Sequence, residues 1–254
     1  MEIFALMFLG FLQGLTEFLP ISSSGHLVLF GNIFNIKETL FVSIILHVAT
    51  LLSVCIVFRK DIWYMIKHPL SNQTLTLVVA TIPTCLIALV FLPVINEAFE
   101  GKFLCISFLI SAFLLFFAER RKEKYPYSNK SIDFKTAIWM GIVQGIAIFP
   151  GISRSGSTIS AGLYAKADKN QCAKFSFLMS LPIILLSLFM EIFEISNSNI
   201  QLNVSYIGII LSFLIAFIVG IFSIKLMIKL TSNSNLKYFS LYLILIAVLS
   251  LFLL

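Results

Sequence analysis

The chain has 254 residues, 59% of them hydrophobic and 12% charged, with a mean hydropathy of +1.01. So few charges cannot cover a soluble protein of this size, and the composition places the chain among integral membrane proteins. The net charge of +6 does not signal a nucleic-acid partner, because the basic residues sit in short segments between apolar runs, where orientation signals belong. Cys55, Cys85, Cys105 and Cys172 are scattered singly. No pair has metal or redox spacing, and they read as small packing residues. The N-terminus shows neither the basic region nor the cleavage site of a secretory signal.

In chain order, the region about 2–34 is apolar but interrupted by QGLTEFLPISSSGH, Gln13 to His26. Runs at about 41–58, 73–94 and 102–118 follow. A second interrupted region, about 135–165, precedes runs at about 173–193, 204–228 and 237–254. The six uninterrupted runs approach the ~20 residues of a membrane-crossing helix. Barrel-type alternation is absent, so the expected spans are helices, with backbone groups satisfied internally.

Charge assigns the sides. Of the 18 Lys and Arg residues, 15 fall in segments 59–72, 119–135, 166–174 and 225–237. The excess of positive charge makes these segments cytoplasmic. The region 135–165 then begins and ends on the cytoplasmic side, so it must enter the membrane and return. With the N-terminus outside, region 2–34 does the same from the opposite face. The predicted fold is all-α and polytopic: six transmembrane helices plus two re-entrant helical hairpins, within a single membrane domain spanning 1–254.

The two interrupted regions also resemble each other. Residues 10–26, GFLQGLTEFLPISSSGH, and 141–157, GIVQGIAIFPGISRSGS, share eight of seventeen positions without a gap. Each region is followed by three apolar runs. The chain therefore reads as an inverted-topology repeat, about 1–118 and 135–254. In such repeats, segments broken by Gly and Pro meet near the midplane and form a polar site.

The repeats differ where chemistry needs them to. Glu17 aligns with Ile148, Ser23 with Arg154 and His26 with Ser157. One half supplies the carboxylate and imidazole, the other the guanidinium. Ionisable groups are costly in hydrocarbon, so their default reading is functional. Glu17, Ser23, His26 and Arg154 are the candidate catalytic residues. The runs Ser22-Ser23-Ser24-Gly25 and Ser153-Arg154-Ser155-Gly156 each suit the start of a half-helix. Their N–H groups and hydroxyls would converge on an anion, with Arg154 suited to a bidentate phosphate contact. Ser22, Ser24, Gly25, Ser153, Ser155 and Gly156 are thus candidate phosphate-binding positions. The apolar surroundings imply a phosphate or pyrophosphate carrying a lipid tail. Pro20 and Pro150 read as helix breakers, and Gly14 and Gly145 as close-packing residues. His47 in its apolar run and His68 in a basic segment receive no role.

With these motifs in hand, the chain resembles the undecaprenyl-diphosphatase family associated with bacitracin resistance. The (Glu/Gln)-x-x-x-Glu element is matched by Gln13 and Glu17. Pro-x-Ser-Ser-x-Gly-His is matched by Pro20 to His26, and Pro-Gly-x-Ser-Arg-Ser by Pro150 to Ser155. The resemblance implies hydrolysis of undecaprenyl diphosphate to undecaprenyl phosphate and inorganic phosphate, which recycles the carrier lipid for peptidoglycan synthesis. It also implies a bacterial plasma-membrane location with the site open to the external face. A divalent cation, Mg²⁺ or Ca²⁺, is implied as well, with Glu17 and Gln13 as the corresponding ligands. Many members of the family carry Glu where this chain has Gln13, so a two-carboxylate metal site is in doubt here. The competing reading is a transporter or flippase for the prenyl phosphate carrier or a small anion, since broken inverted repeats are a transporter architecture.

Overall fold

The computed structural model describes residues 2–36, 39–98, 103–124, 131–197, 205–233 and 236–253. Eleven α-helices and no β-strand occur among them. The first interrupted region gives α1 (Glu2–Thr16) and α2 (Ser23–Ile33), and the second gives α7 (Phe134–Ile146) and α8 (Arg154–Tyr164). Between them lie α3 (Thr39–Val57), α4 (Arg59–Lys67), α5 (Asn72–Ala98) and α6 (Leu104–Lys124). The chain ends with α9 (Lys169–Asn197), α10 (Tyr206–Asn233) and α11 (Lys237–Leu253). The helix order follows the apolar runs, except for α4. This short helix (RKDIWYMIK) turns 78° away from α3 immediately after it.

Among the described residues, three helices are long and apolar enough to cross a membrane: within α5, α9 and α10. There are four if the bent pair α3–α4 is one span. The outer surface is apolar, with Phe103, Phe189, Phe222 and Phe252 exposed. That pattern suits lipid rather than water as solvent.

Two glycine pairs explain how the interrupted regions are held. A methyl on Gly14 of α1 would lie 2.7 Å from the Ala216 carbonyl oxygen and 2.9 Å from Val219 Cβ of α10. A methyl on Gly145 of α7 would lie 2.7 Å from Ile87 Cβ of α5. Gly10 and Gly141, one turn earlier, face Ser212 and Ala80 in the same way. Each interrupted region thus presses a small-xxx-small face onto one long helix, the device by which membrane helices pack without a hydrophobic force between them. A hydroxyl reinforces the second of these contacts, Thr84 Oγ1 donating to the Gly141 carbonyl at 2.8 Å, and Ser53 Oγ ties α3 to α10 by donating to the Phe217 carbonyl at 2.8 Å.

The breaks between α1 and α2 and between α7 and α8 lie against each other inside the bundle. Ser155 Oγ of α8 donates to the Leu19 carbonyl of the first break at 3.1 Å. A methyl on Gly25 would meet Gly151 Cα at 2.8 Å. Irregular backbone at this depth is tolerated because it is buried in protein.

Candidate active site

The local sequence explains the two helix starts. Ser22 caps α2, its hydroxyl accepting from the Gly25 N–H at 3.4 Å. Ser153 caps α8, accepting from the Gly156 N–H at 3.1 Å. The shared Ser-x-x-Gly spacing therefore builds the same serine cap twice, on a left-handed backbone at Ser22 and an extended one at Ser153. The second is further anchored by the Ser153 N–H donating to Ser111 Oγ of α6 at 2.7 Å. Ser22 is held at φ 67°, ψ 90°, a left-handed conformation that a non-glycine residue adopts only when its surroundings impose it.

Glu17 lies in the first break and is buried, with 4% of its surface exposed. Four groups converge on its carboxylate. Gln13 Nε2, one turn earlier on α1, donates to Oε2 at 3.0 Å, and Ser23 Oγ donates to the same oxygen at 2.5 Å. Arg154 Nη2, from the start of α8, donates to Oε1 and forms an ion pair. His47 Nε2 of α3 lies 3.5 Å from Oε2. A buried carboxylate needs such compensation, since an isolated charge costs many kcal/mol to desolvate.

Of the candidates read from the sequence, Gln13, Glu17, Ser23 and Arg154 therefore share one cluster. Ser22 and Ser153 flank it as caps, Ser155 bonds across to the first break, and Gly25 and Gly156 lie in the capped first turns. Ser24 is half-buried on α2. His26 sits one turn along α2, with both ring nitrogens engaged elsewhere. Nδ1 is 2.7 Å from the Ser22 carbonyl oxygen, and Nε2 is 2.7 Å from the Tyr242 hydroxyl of α11.

Three contributors escaped the sequence reading. His47 approaches Glu17, Thr50 Oγ1 receives Gln13 Nε2 at 3.4 Å, and Tyr242 meets His26. The first two carried a signal: Ser43, His47 and Thr50 recur at helical spacing, a polar stripe along an otherwise apolar helix. Tyr242 carried none.

For a cation, the donors in place are the Glu17 carboxylate and the amide oxygen of Gln13. That amide oxygen is buried and accepts no hydrogen bond among the described residues. Amide and carboxylate oxygens are the ligand types that hard divalent cations take. No group of three or more His, Cys, Asp or Glu side chains converges among the described residues. A cation here must accordingly draw most of its coordination from substrate or water.

A helical membrane protein with a buried carboxylate–guanidinium pair at the junction of two broken helices is the class that this fold and site define. The family model for the bacitracin resistance protein BacA matches residues 6–249. The chain is 39% identical over 245 residues to an undecaprenyl-diphosphatase of Carboxydothermus hydrogenoformans, covering 95% of this chain and 94% of that protein. It is 39% identical over 251 residues to the undecaprenyl-diphosphatase of Thermosipho africanus, covering 96% and 97%. It is 38% identical over 236 residues to undecaprenyl-diphosphatase 3 of Bacillus cereus, covering 92% and 90%. The chain belongs to the BacA family, and the resemblance read from its two motifs extends over nearly its full length.

Proposed function

We propose that this protein hydrolyses undecaprenyl diphosphate to undecaprenyl phosphate and inorganic phosphate, and thereby contributes to bacitracin resistance. Its relatives named undecaprenyl-diphosphatase support the reaction and substrate. The observation that carries the chemistry is the convergence of Ser23, Glu17 and Arg154 across the two breaks.

In the proposed reaction, Ser23 Oγ attacks the terminal phosphorus while its proton passes to Glu17 Oε2, already its hydrogen-bond acceptor at 2.5 Å. The bridging P–O bond breaks, and its electron pair leaves on the lipid phosphate. Water then attacks the phosphoserine. Glu17 returns its proton to Ser23 Oγ, and the water's proton leaves with the inorganic phosphate. Arg154 uses one of its five donors on Glu17 and offers the rest to phosphate oxygens. The N-termini of α2 and α8 add N–H groups and positive dipole ends, as phosphoryl transfer requires. Ser23 is favoured over His26 as nucleophile because both imidazole nitrogens of His26 are already hydrogen-bonded. A bound divalent cation, with Glu17 and Gln13 Oε1 as its protein ligands, would neutralise charge on the substrate phosphates.

We also propose six transmembrane helices with α1–α2 and α7–α8 as re-entrant arms, arranged as an inverted repeat of residues about 1–118 and 135–254. The helix pairings support this reading. α1 packs on α10 as α7 packs on α5, α3 on α10 as α9 on α5, and α6 packs on α11. Exchanging the halves interchanges these pairs. Gln13 reaching α3 through Thr50, and Gln144 reaching α9 through the Met179 carbonyl, obey the same exchange. The basic residues gathered in segments 59–72, 119–135, 166–174 and 225–237 support a cytoplasmic side for those segments, and with the N-terminus outside, the site opens to the external side of a bacterial plasma membrane.

The test is phosphate release from a long-chain prenyl diphosphate by purified protein in detergent, with and without chelator. Release without any membrane separating two compartments supports the enzyme. No release, together with lipid movement across liposomes, overturns it in favour of a transporter.

A further inference from the structure

Tyr242 lies on α11, 216 positions from His26 in sequence, yet its hydroxyl is 2.7 Å from His26 Nε2. The tautomer of His26 follows from its other partner. Nδ1 is 2.7 Å from the Ser22 carbonyl oxygen, which can only accept, so Nδ1 carries the proton. Nε2 of the neutral ring then presents its lone pair, and the Tyr242 hydroxyl donates to it. The two rings are parallel within 3°, and Phe108 of α6 meets the imidazole edge-on at 5.6 Å between centroids. The imidazole is thus fixed in orientation, tautomer and plane.

What the imidazole fixes in turn is the Ser22 carbonyl, the peptide group that leads into Ser23. Ser22 is one of only three non-glycine residues with positive φ among those described. A left-handed conformation at such a residue is unfavourable and persists only where neighbours over-determine it. The His26 imidazole bond to its carbonyl is one such constraint, beside the His26 backbone N–H on the same carbonyl at 3.3 Å and the Gly25 N–H on its hydroxyl. Ser23 projects from this imposed turn to meet Glu17.

Resting on the reading of Ser23 as the reacting group, we propose that Tyr242 is the positioning residue of the reacting serine. Its hydroxyl locks the His26 imidazole, and the imidazole holds Ser22 in the turn that aims Ser23 at Glu17. α11 thereby takes part in the site without touching substrate.

Two readouts test this. The first is ¹⁵N NMR of histidine-labelled protein in bilayers, in a His68→Gln background, with the His26 signals assigned by their loss in His26→Asn. Wild-type His26 is expected to show a protonated Nδ1 and a hydrogen-bonded, unprotonated Nε2. Tyr242→Phe should shift the Nε2 signal. The second is steady-state phosphate release. Loss of one neutral hydrogen bond predicts about a tenfold fall in kcat for Tyr242→Phe with KM unchanged. Adding Ser22→Asn, which adopts the left-handed region readily and still caps a helix, should reduce the further loss caused by Tyr242→Phe. An unchanged His26 spectrum in Tyr242→Phe overturns the proposal, as does a shifted spectrum with wild-type kcat. An equal loss in the Ser22→Asn background also overturns it. If the wild type releases no phosphate, the functional reading falls, and the Tyr242–His26–Ser22 link is then judged by the imidazole signals alone.

Discussion

Arg154 and Glu17 are separated by 137 positions in sequence and form an ion pair in which the Glu17 side chain is only 2% exposed. Each comes from a different broken region, so the pair exists only when the two breaks meet. Arg154→Ala therefore removes the proposed phosphate ligand and also strands a buried carboxylate. The expected effect on kcat is a loss of about two to three orders of magnitude, the usual scale for one preorganised charge-stabilising donor. Arg154→Lys should recover little of it, because a point charge does not reproduce a planar fork. Phosphate release measures both.

Breaking a buried pair by removing one partner typically costs about 3–5 kcal/mol. Arg154→Ala should therefore lower the thermal unfolding midpoint in detergent. The double variant Glu17→Gln/Arg154→Met, which leaves no unpaired charge, should regain most of that stability while staying inactive. If the double variant were as unstable as Arg154→Ala, charge pairing would not be what the two residues contribute to the fold.

Ser23→Ala should abolish turnover, whereas Ser24→Ala, outside the Glu17 cluster, should retain most of it. Rapid quenching of wild-type enzyme with labelled substrate should trap phosphate on Ser23. Label recovered on His26 instead would reverse the proposed roles of the two residues.

Gln13→Glu places a second negative charge beside Glu17. A divalent cation then gains a charged ligand. The cation concentration for half-maximal activity should fall, so at equal low free metal set by chelator the variant should retain more of its activity than the wild type. An unchanged cation dependence would count against Gln13 as part of the metal-binding set.

Gly14→Leu should destabilise the fold, since even one methyl there would sit 2.7 Å from the Ala216 carbonyl oxygen. Overpacking costs typically 1–3 kcal/mol, and here the obstruction is helix backbone, which cannot rotate aside. The readout is the yield of monodisperse protein and its unfolding midpoint, both expected to fall.

The helix order and the two breaks were legible in the sequence because Gly, Pro and ionisable residues stand out against apolar runs. Gln13, Glu17, Ser23 and Arg154 could be grouped because the two regions align, and the alignment places a cation in one opposite a hydroxyl in the other. His47 could not be placed by the same means. Its helix is continuous, and only the packing of α3 beside α1 brings its imidazole to Glu17. Tyr242 was hidden more deeply: an aromatic residue in an apolar C-terminal helix has many packing roles and no local pattern that sets one apart. The helix α4 was masked because Arg59, Lys60 and Lys67 mark its sequence as a basic connecting segment, where nothing local sets a helix apart from a loop.

The hydrogen bond from Ser155 to the Leu19 carbonyl has a consequence for how the protein is made. Ribosomes deliver the first broken segment long before residue 155 exists, so that carbonyl, held meanwhile by the Ile21 N–H at 2.8 Å, waits through more than a hundred further residues of synthesis for the Ser155 hydroxyl, and Glu17 waits as long for Arg154. During that interval the first arm cannot rest in hydrocarbon with its carboxylate unpaired. It should linger at the water-facing edge of the insertion machinery and enter the bilayer only when the second arm arrives. Final insertion of the first arm is then a late event, and a chain truncated before residue 155 should leave that arm open to added protease.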